Sequence, residues 1–498
     1  MNKDKENHFD VIIIGAGVVG CSIARELSRF KVRVAVLEKE SDVGWGSSCR
    51  NSGVIHTGFN NKTGTLMARY CVEGNQGFQN IARELNVPFK KSGKLVVAKD
   101  NSEIAELKRL KKQGELNGVN NLDIIGEKEI RELEPNIQGI AALLSPETAI
   151  TSPYIYTIAL AENALKNGVR FYLNTEVKNI KKKANGKFVL KNKNTDFIAD
   201  YLINSTGVYS GEIARMAGID RYRIYPCRGE YYVLDKNASS LMNHLIYPVP
   251  HIEEGGLGIH LTPTVDGNVL IGPSNEYIDI NKRNDYAVTM EVLSKLCKEA
   301  QEFLPAISPR DFIRNYAGIR SKQTSPLQGG YKDYTIEESE EAPNMINLIG
   351  IESPGLTSAY PIAKKVVTMI DKKEKLSTNT DFNPYREGIL RFEEQDEETK
   401  RKLIEQDPDY GEIICRCEQV TKKEILQAID NPLEARSLIS IKYRSRAMMG
   451  RCQGGYCQTR IMELLKEKYG YTWNDFLLRG TESYMLTGNR SNGVKAYD

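Results

Sequence analysis

Residues Asp10 to Glu38 read DVIIIGAGVVGCSIARELSRFKVRVAVLE. Val11, Ile12, Ile13 and Ile14 are apolar at every position, the pattern of a central parallel strand covered on both faces. The run leads into Gly15, Gly17 and Gly20. Gly15 allows a tight turn, Gly17 leaves room for a pyrophosphate, and Gly20 lets the following helix pack close to the strand with its free N–H groups aimed at phosphate. Ile23, Ala24 and Leu27 recur at helical spacing and would seat that helix on a sheet. A second strand over residues 32–37 delivers Glu38 about 20 residues beyond the glycines, where a carboxylate accepts both ribose hydroxyls and repels a 2'-phosphate. Strand, turn, helix and distal acid agree on dinucleotide binding, and the acid argues against NADP.

Further along, Ile203-Asn204-Ser205-Thr206-Gly207 reads as a short strand ending in Thr206 and Gly207. It resembles the second flavin-contact motif of FAD oxidoreductases, which NAD dehydrogenases lack. No second strand–G-x-G-x-x-G–helix unit follows, so a nicotinamide site is not expected beside the flavin.

With 498 residues the chain has room for two to four domains at roughly 150 residues each. Lys plus Arg number 68 against 65 Asp plus Glu, a net of +3, so no global field selects nucleic acid or an anionic membrane. No apolar stretch approaches the ~20 residues that span a bilayer, and residues 1–6 are polar. A cytoplasmic protein is expected, with peripheral placement at the inner membrane face through a partner as the alternative. Four of the nine cysteines, Cys21, Cys49, Cys71 and Cys227, are scattered singly, which suits a reducing compartment.

The last four cysteines are grouped: Cys415-Arg416-Cys417, then 34 intervening residues, then Cys452-Gln453-Gly454-Gly455-Tyr456-Cys457. Two close thiolate pairs can build a tetrahedral sulfur cage for iron–sulfur or for zinc. Zinc ribbons favour C-x2-C knuckles over C-x-C with C-x4-C, so the cluster is the preferred reading and zinc the alternative. Between the pairs, Lys422–Ile429 reads as a helix with Thr421 as N-cap and Glu424 completing a capping box. A second helix is expected from about Thr459 to Tyr469. The spacing over roughly residues 411–466 resembles the [2Fe–2S] domain of bacterioferritin-associated ferredoxin.

The flavin motifs are spread across residues 1–385. That span is expected to be one interleaved enzyme: FAD-binding segments at about 1–90, 150–215 and 310–385, and an antiparallel substrate sheet from about 90–150 and 215–310. The fold class is thus α/β and α+β, a Rossmann-like FAD domain interleaved with an antiparallel-sheet substrate domain, plus a small C-terminal cysteine-ligated domain. Residues 386–410, with the acidic run Glu393–Glu398, read as a solvated helix or linker, and 467–498 as a tail.

Residues 44–58, GWGSSCRNSGVIHTG, are dense in small and hydroxyl side chains. Ser47, Ser48, Asn51 and Ser52 can run beside a flat cofactor and hydrogen-bond it. His56 suits a general base, although composition alone favours a structural histidine. Tyr316-Ala317-Gly318-Ile319-Arg320 places an arginine where it can clamp an anion bidentately. Gly350 to Thr357, including Ser353, Gly355, Leu356 and Thr357, opens an apolar helix whose positive end could face the flavin N1 and C2 carbonyl.

Together, N-S-G-V-I-H-x-G, R-G-E-Y, G-I-H-L-T-P-x-x-D-G-N-x-L-I-G-P, A-G-I-R and S-P-G-L-T resemble the glycerol-3-phosphate dehydrogenase/oxidase branch of the FAD-dependent amino-acid-oxidase superfamily, over nearly all of residues 8–370. The resemblance implies oxidation of sn-glycerol 3-phosphate to dihydroxyacetone phosphate, with His56 as base, Arg320 on the phosphate or developing oxyanion, His260 and Arg228 completing the anion pocket, and Ser353 bonding the anion or the flavin. Cys415, Cys417, Cys452 and Cys457 would hold a cluster that relays electrons to a second flavoprotein or a quinone-linked subunit. L-2-hydroxyglutarate dehydrogenases and amino-acid dehydrogenases share several of these motifs. An electron-transfer subunit without its own substrate is the reading from a different class.

Overall fold

The computed structural model describes residues 7–193, 195–250 and 258–486. The polar residues 1–6 and positions 487–498 of the expected tail lie outside the described residues. The chain forms two compact units. Residues through Leu37, Gly44–Tyr172 and Glu176–Arg386 make the first; Glu38–Val43, Leu173–Thr175 and residues from Glu387 onward make the second.

The first unit contains two large sheets. In the eight-stranded one, His8–Ile14 lies between Asp196–Asn204 and Val34–Leu37 and runs parallel to both, with Ile13 opposite Ile203 on one side and Val36 on the other. Val11 to Ile14 are at most 5% exposed, as a strand covered on both faces requires. Helix Val18–Leu27 packs against helices Pro153–Lys166 and Gly355–Glu374. It is therefore buried nearly all round, and Arg25 is carried inside with Glu26 and Glu84 as its ion pairs.

The nine-stranded sheet runs Glu276–Tyr277, Tyr225–Leu234, Val269–Gly272, His260–Pro263, Leu245–Pro248, Lys94–Ala98, Ala141–Ser145 and Asp123–Gly126, with Phe312–Lys322 also pairing with Tyr225–Leu234. The expected antiparallel character fails at one junction: Leu245–Pro248 pairs parallel with Lys94–Ala98. These strands come from distant stretches joined by long crossovers, so no hairpin fixes their direction. Phe312–Lys322, placed with the FAD segments from sequence, belongs to this sheet, and Arg320 stands opposite Cys227. Period-two alternation sends Leu95 and Val97 into a core with Leu261, Ile271 and Leu296, and Val96 and Ala98 into another with Phe59, Leu143 and Tyr247. Lys94 shares the face of Val96.

In the second unit, helix Lys422–Ile429 carries its capping box: the Thr421 hydroxyl accepts from Glu424 N and a Glu424 carboxylate oxygen accepts from Thr421 N. The later helix is Cys457–Tyr469, starting two residues before the expected position, and a third helix, Leu438–Ser445, was not evident from periodicity. Ile414, Ile425, Ile441, Ile461, Leu465 and Phe476 form the core. Packing thus continues past residue 466, because Phe476 is drawn in from the expected tail. Glu397–Gln406 is a helix with no buried residue, matching its solvated reading. Within this unit Arg444 bonds both Asp42 carboxylate oxygens, at 2.6 and 3.0 Å. Among the described residues no helix is long and apolar enough to cross a membrane.

Candidate active site and cluster cradle

The dinucleotide turn is closed to side chains. A Cβ at Gly20 would lie 2.1 Å from Gly15 O and 2.7 Å from Ser205 Oγ, and Gly15 has φ +98°. Gly15 N donates to Leu37 O at 2.9 Å, so the two strand ends lie side by side and Glu38 is the next residue. A Glu38 carboxylate oxygen accepts from Glu40 N at 3.0 Å. Ser48 Oγ accepts from Val18 N at 2.9 Å, tying the hydroxyl-rich segment to the helix N-terminus, and lies 3.1 Å from where a Gly17 Cβ would stand. Ser205 Oγ donates to Ile14 O, Thr206 Oγ1 donates to Asn204 Oδ1, and Gly207 has φ +57° with open space beside it. An open turn at a helix N-terminus, beside a strand that ends in an acid, fits FAD.

Residues 44–58 run against strand Phe312–Lys322. Ser47 Oγ donates to Ile319 O, and a Cβ at Gly318 would lie 2.1 Å from Arg50 O. Asn51 spends its amide on Ser47 O and Ser48 O and its carbonyl on Gly53 N, so it shapes the turn. Ser52 shares a hydrogen bond with Tyr231. His56 N donates to Thr357 Oγ1 at 3.0 Å, and Cys71 Sγ donates to His56 O. Thr357 lies in the first turn of Gly355–Glu374, so the histidine is clipped to that helix N-terminus. Gly350 has φ +69° where a Cβ would meet Gln323, Ser353 is exposed and Leu356 half-buried.

The structure brings His56, His260 and Arg320 into one electrostatic neighbourhood. Burial first, then the charge of Lys94 and the presence of a second imidazole at His260, hold the His56 pKa well below its ordinary value. His260 is lowered to about 3, chiefly by burial, with Lys94 and Arg320 adding to it against the hydrogen bond to Gly258 O. Since a carbonyl only accepts, the 3.0 Å contact to Gly258 O puts the proton on His260 Nδ1 and leaves Nε2 as an acceptor. Neutral His260 therefore suits a hydroxyl better than the anion expected of it. Arg320 donates to Ser274 O at 3.1 Å and to Cys227 Sγ at 3.7 Å. Among the described residues no carboxylate lies within ion-pair distance of it. Arg228, expected in the anion pocket, is instead matched by Glu276 at 2.8 Å and by Glu230 and Asp285, each at 3.4 Å. Three carboxylates already answer its charge.

Sequence reading missed Lys94, which is 1% exposed. A lysine at the head of an apolar run looks like a solvated strand end. Its burial depends on the parallel neighbour Leu245–Pro248, which no local pattern announces.

The four C-terminal thiols meet as two hydrogen-bonded pairs, Cys415 with Cys457 and Cys417 with Cys452. Sharing a proton with Cys457 brings Cys415 down to about 6 and pushes Cys457 up. Backbone N–H groups of Met448 and Glu418 donate to Cys415, and those of Tyr456 and Gly454 to Cys452. A Cβ at Gly450 would lie 2.4 Å from Cys417 Cβ. Among the described residues no three His, Cys, Asp or Glu side chains converge as a single-ion site does. Four thiols gathered as two pairs, with amide donors to the sulfurs, fit a [2Fe–2S] cluster, which they would hold.

Residues 10–369 match the FAD dependent oxidoreductase family, and residues 413–467 match the BFD-like [2Fe-2S] binding domain. The chain belongs to the FAD dependent oxidoreductase family, with FAD as its cofactor, and carries a [2Fe–2S] domain at its C-terminal end. It is 40% identical over 490 residues to a glycerol 3-phosphate dehydrogenase of Caloramator mitchellensis, covering 98% of this chain and 100% of that one. It is 33% identical over 405 residues to the mitochondrial L-2-hydroxyglutarate dehydrogenase of Arabidopsis thaliana, covering 72% and 83%. Among solved structures, the dithionite-reduced L-alpha-glycerophosphate oxidase of Mycoplasma pneumoniae with FAD bound matches at a TM-score of 0.71 and 29% identity, covering 76% and 98%.

Proposed function

We propose that this chain oxidises the secondary alcohol of sn-glycerol 3-phosphate to dihydroxyacetone phosphate. The observation that carries the reading is a neutral histidine pair beside Arg320, a guanidinium without a carboxylate partner among the described residues. That combination is matched to a small anion bearing a hydroxyl. Bound FAD supplies the acceptor for the hydride at N5, and the cluster at Cys415, Cys417, Cys452 and Cys457 supplies a one-electron outlet towards a second flavoprotein or a quinone-linked protein. His56 takes the hydroxyl proton, Arg320 holds the phosphate, and His260 Nε2 accepts from a substrate hydroxyl and fixes its rotation. The positive end of Gly355–Glu374 stabilises negative charge gathering near it. Ser353, exposed at the mouth of that helix, is available to the anion.

The test is anaerobic mixing of purified holoenzyme with glycerol 3-phosphate, L-2-hydroxyglutarate and a panel of amino acids, following the flavin band. Rapid bleaching by glycerol 3-phosphate alone supports the reading. Bleaching by L-2-hydroxyglutarate or an amino acid in its place overturns the substrate assignment, and bleaching only by a reduced protein partner makes the chain a relay.

A further inference from the structure

We infer that Lys94 is a positioning residue for the reaction: its buried ammonium, reaching His260 across the Tyr247 ring, adds to burial in keeping protons off both imidazoles and so helps hold the proton-accepting nitrogen free in mildly acidic solution. The inference rests on the reading of His56 as the base.

The geometry links Lys94 to each histidine separately. Its register partner on one side, Ser145, shares a 3.1 Å hydrogen bond with Thr57, the residue after His56. Its partner on the other side, Leu245, begins the strand that carries Tyr247. Lys94 Nζ lies 3.9 Å from the Tyr247 ring centroid, and the same ring stacks on His260 at 3.8 Å with planes 12° apart. Phe59 supplies a second ring, 4.6 Å from Nζ. The titratable groups facing Lys94 are the Cys71 thiol from helix Leu66–Glu84, Tyr247 through its ring, His56 and His260, with Arg320 acting on His260 from beyond. None is a carboxylate.

An ammonium enclosed by two aromatic faces and a thiol is costly, since nothing among the described residues neutralises it. Burial lowers its pKa to about 7. Lys322 in the same sheet shows the ordinary solution: it is equally buried, and Glu352 pairs with it at 3.2 Å. A charge left unanswered beside two histidines repels protons from both. A carboxylate there would do the reverse, holding a proton on the base before substrate arrives. With a cation behind it, His56 stays a free acceptor below the ordinary histidine range and releases its proton readily after the reaction.

The test uses full-length holoenzyme labelled with 13C at histidine Cε1, titrated by NMR as wild type, Lys94→Met and Lys94→Gln, with His56→Ala and His260→Gln assigning the signals. The expected result is an upward move of both midpoints by about one pH unit or less in each Lys94 variant. The acid limb of kcat/KM for flavin reduction should move with them. Burial still acts in the variants, so the midpoints remain below the ordinary value. Unchanged midpoints in a variant that retains FAD overturn the inference, as does a rate loss equal at every pH, which packing damage alone would give. Should both variants lose FAD, the wild-type titration decides: a His56 midpoint at or above about 6.5 overturns the inference. His56→Ala with an unaltered reduction rate removes His56 as base, an outcome distinct from an unmoved histidine titration.

Discussion

The two regions of the nine-stranded sheet that carry its buried lysines solve the same problem in opposite ways. At the end of Phe312–Lys322, Lys322 meets Glu352, a pair with both side chains 1% exposed. At the start of Lys94–Ala98, Lys94 meets only rings, a thiol and histidines. The arginines repeat the contrast: Arg228 has three carboxylates around it, whereas Arg320 has a carbonyl and a sulfur. The contrast is one of partners: Lys322 and Arg228 each have a carboxylate within ion-pair distance, whereas among the described residues Lys94 and Arg320 have none.

The comparison is broken most readily at its paired side. Lys322→Met leaves Glu352 buried without its ion-pair partner, with only the more distant Arg320 charge acting on it, and should lower unfolding free energy by about 3 kcal/mol in urea denaturation, whereas replacing both residues with apolar ones should recover most of that loss. Arg320→Met should leave the fold and the flavin in place but lose about 2–5 kcal/mol of substrate interaction, seen as a rise of KM in anaerobic flavin reduction; an unchanged KM would remove Arg320 from the anion site. Arg228→Met should do the converse, costing about 2 kcal/mol of stability with KM nearly unaltered.

The smallest effect is expected at Lys94, and it carries a pH signature. Its pKa is about 7 in the folded chain against 10.5 ordinarily, so between these values the unfolded chain holds more protons and stability rises with pH. Lys94→Met should therefore be neutral or stabilising by about 1–2 kcal/mol at pH 7 and should flatten that slope. His260, lowered to about 3, adds loss of stability as pH falls below the ordinary histidine value near 6.5. Thermal melts from pH 4 to 10 on both chains would show the two slopes, and an identical slope above pH 7 in the variant would mean that Lys94 is not the group titrating there.

The strand–turn–helix–strand unit was legible before any fold was known. Gly15, Gly17, Gly20 and Glu38 sit within one strand–turn–helix–strand unit, where each residue's task follows from its position in a local motif. The capping box at Thr421 and Glu424 was equally legible, because its two hydrogen bonds join residues three apart. Asn51 and Arg228 show where reading stopped. Composition marks both as polar candidates, and only the fold reveals their partners, Ser47 and Ser48 for one and Glu276 and Asp285 for the other.

By itself the sequence determined the dinucleotide turn, the grouping of four cysteines and the helix caps, since these depend on backbone freedom and short-range spacing. Only the tertiary structure decided which charges are answered. Whether Lys94 or Arg320 faces a carboxylate depends on strands from distant stretches lying side by side, and a buried charge takes its meaning from neighbours that sequence distance does not reveal.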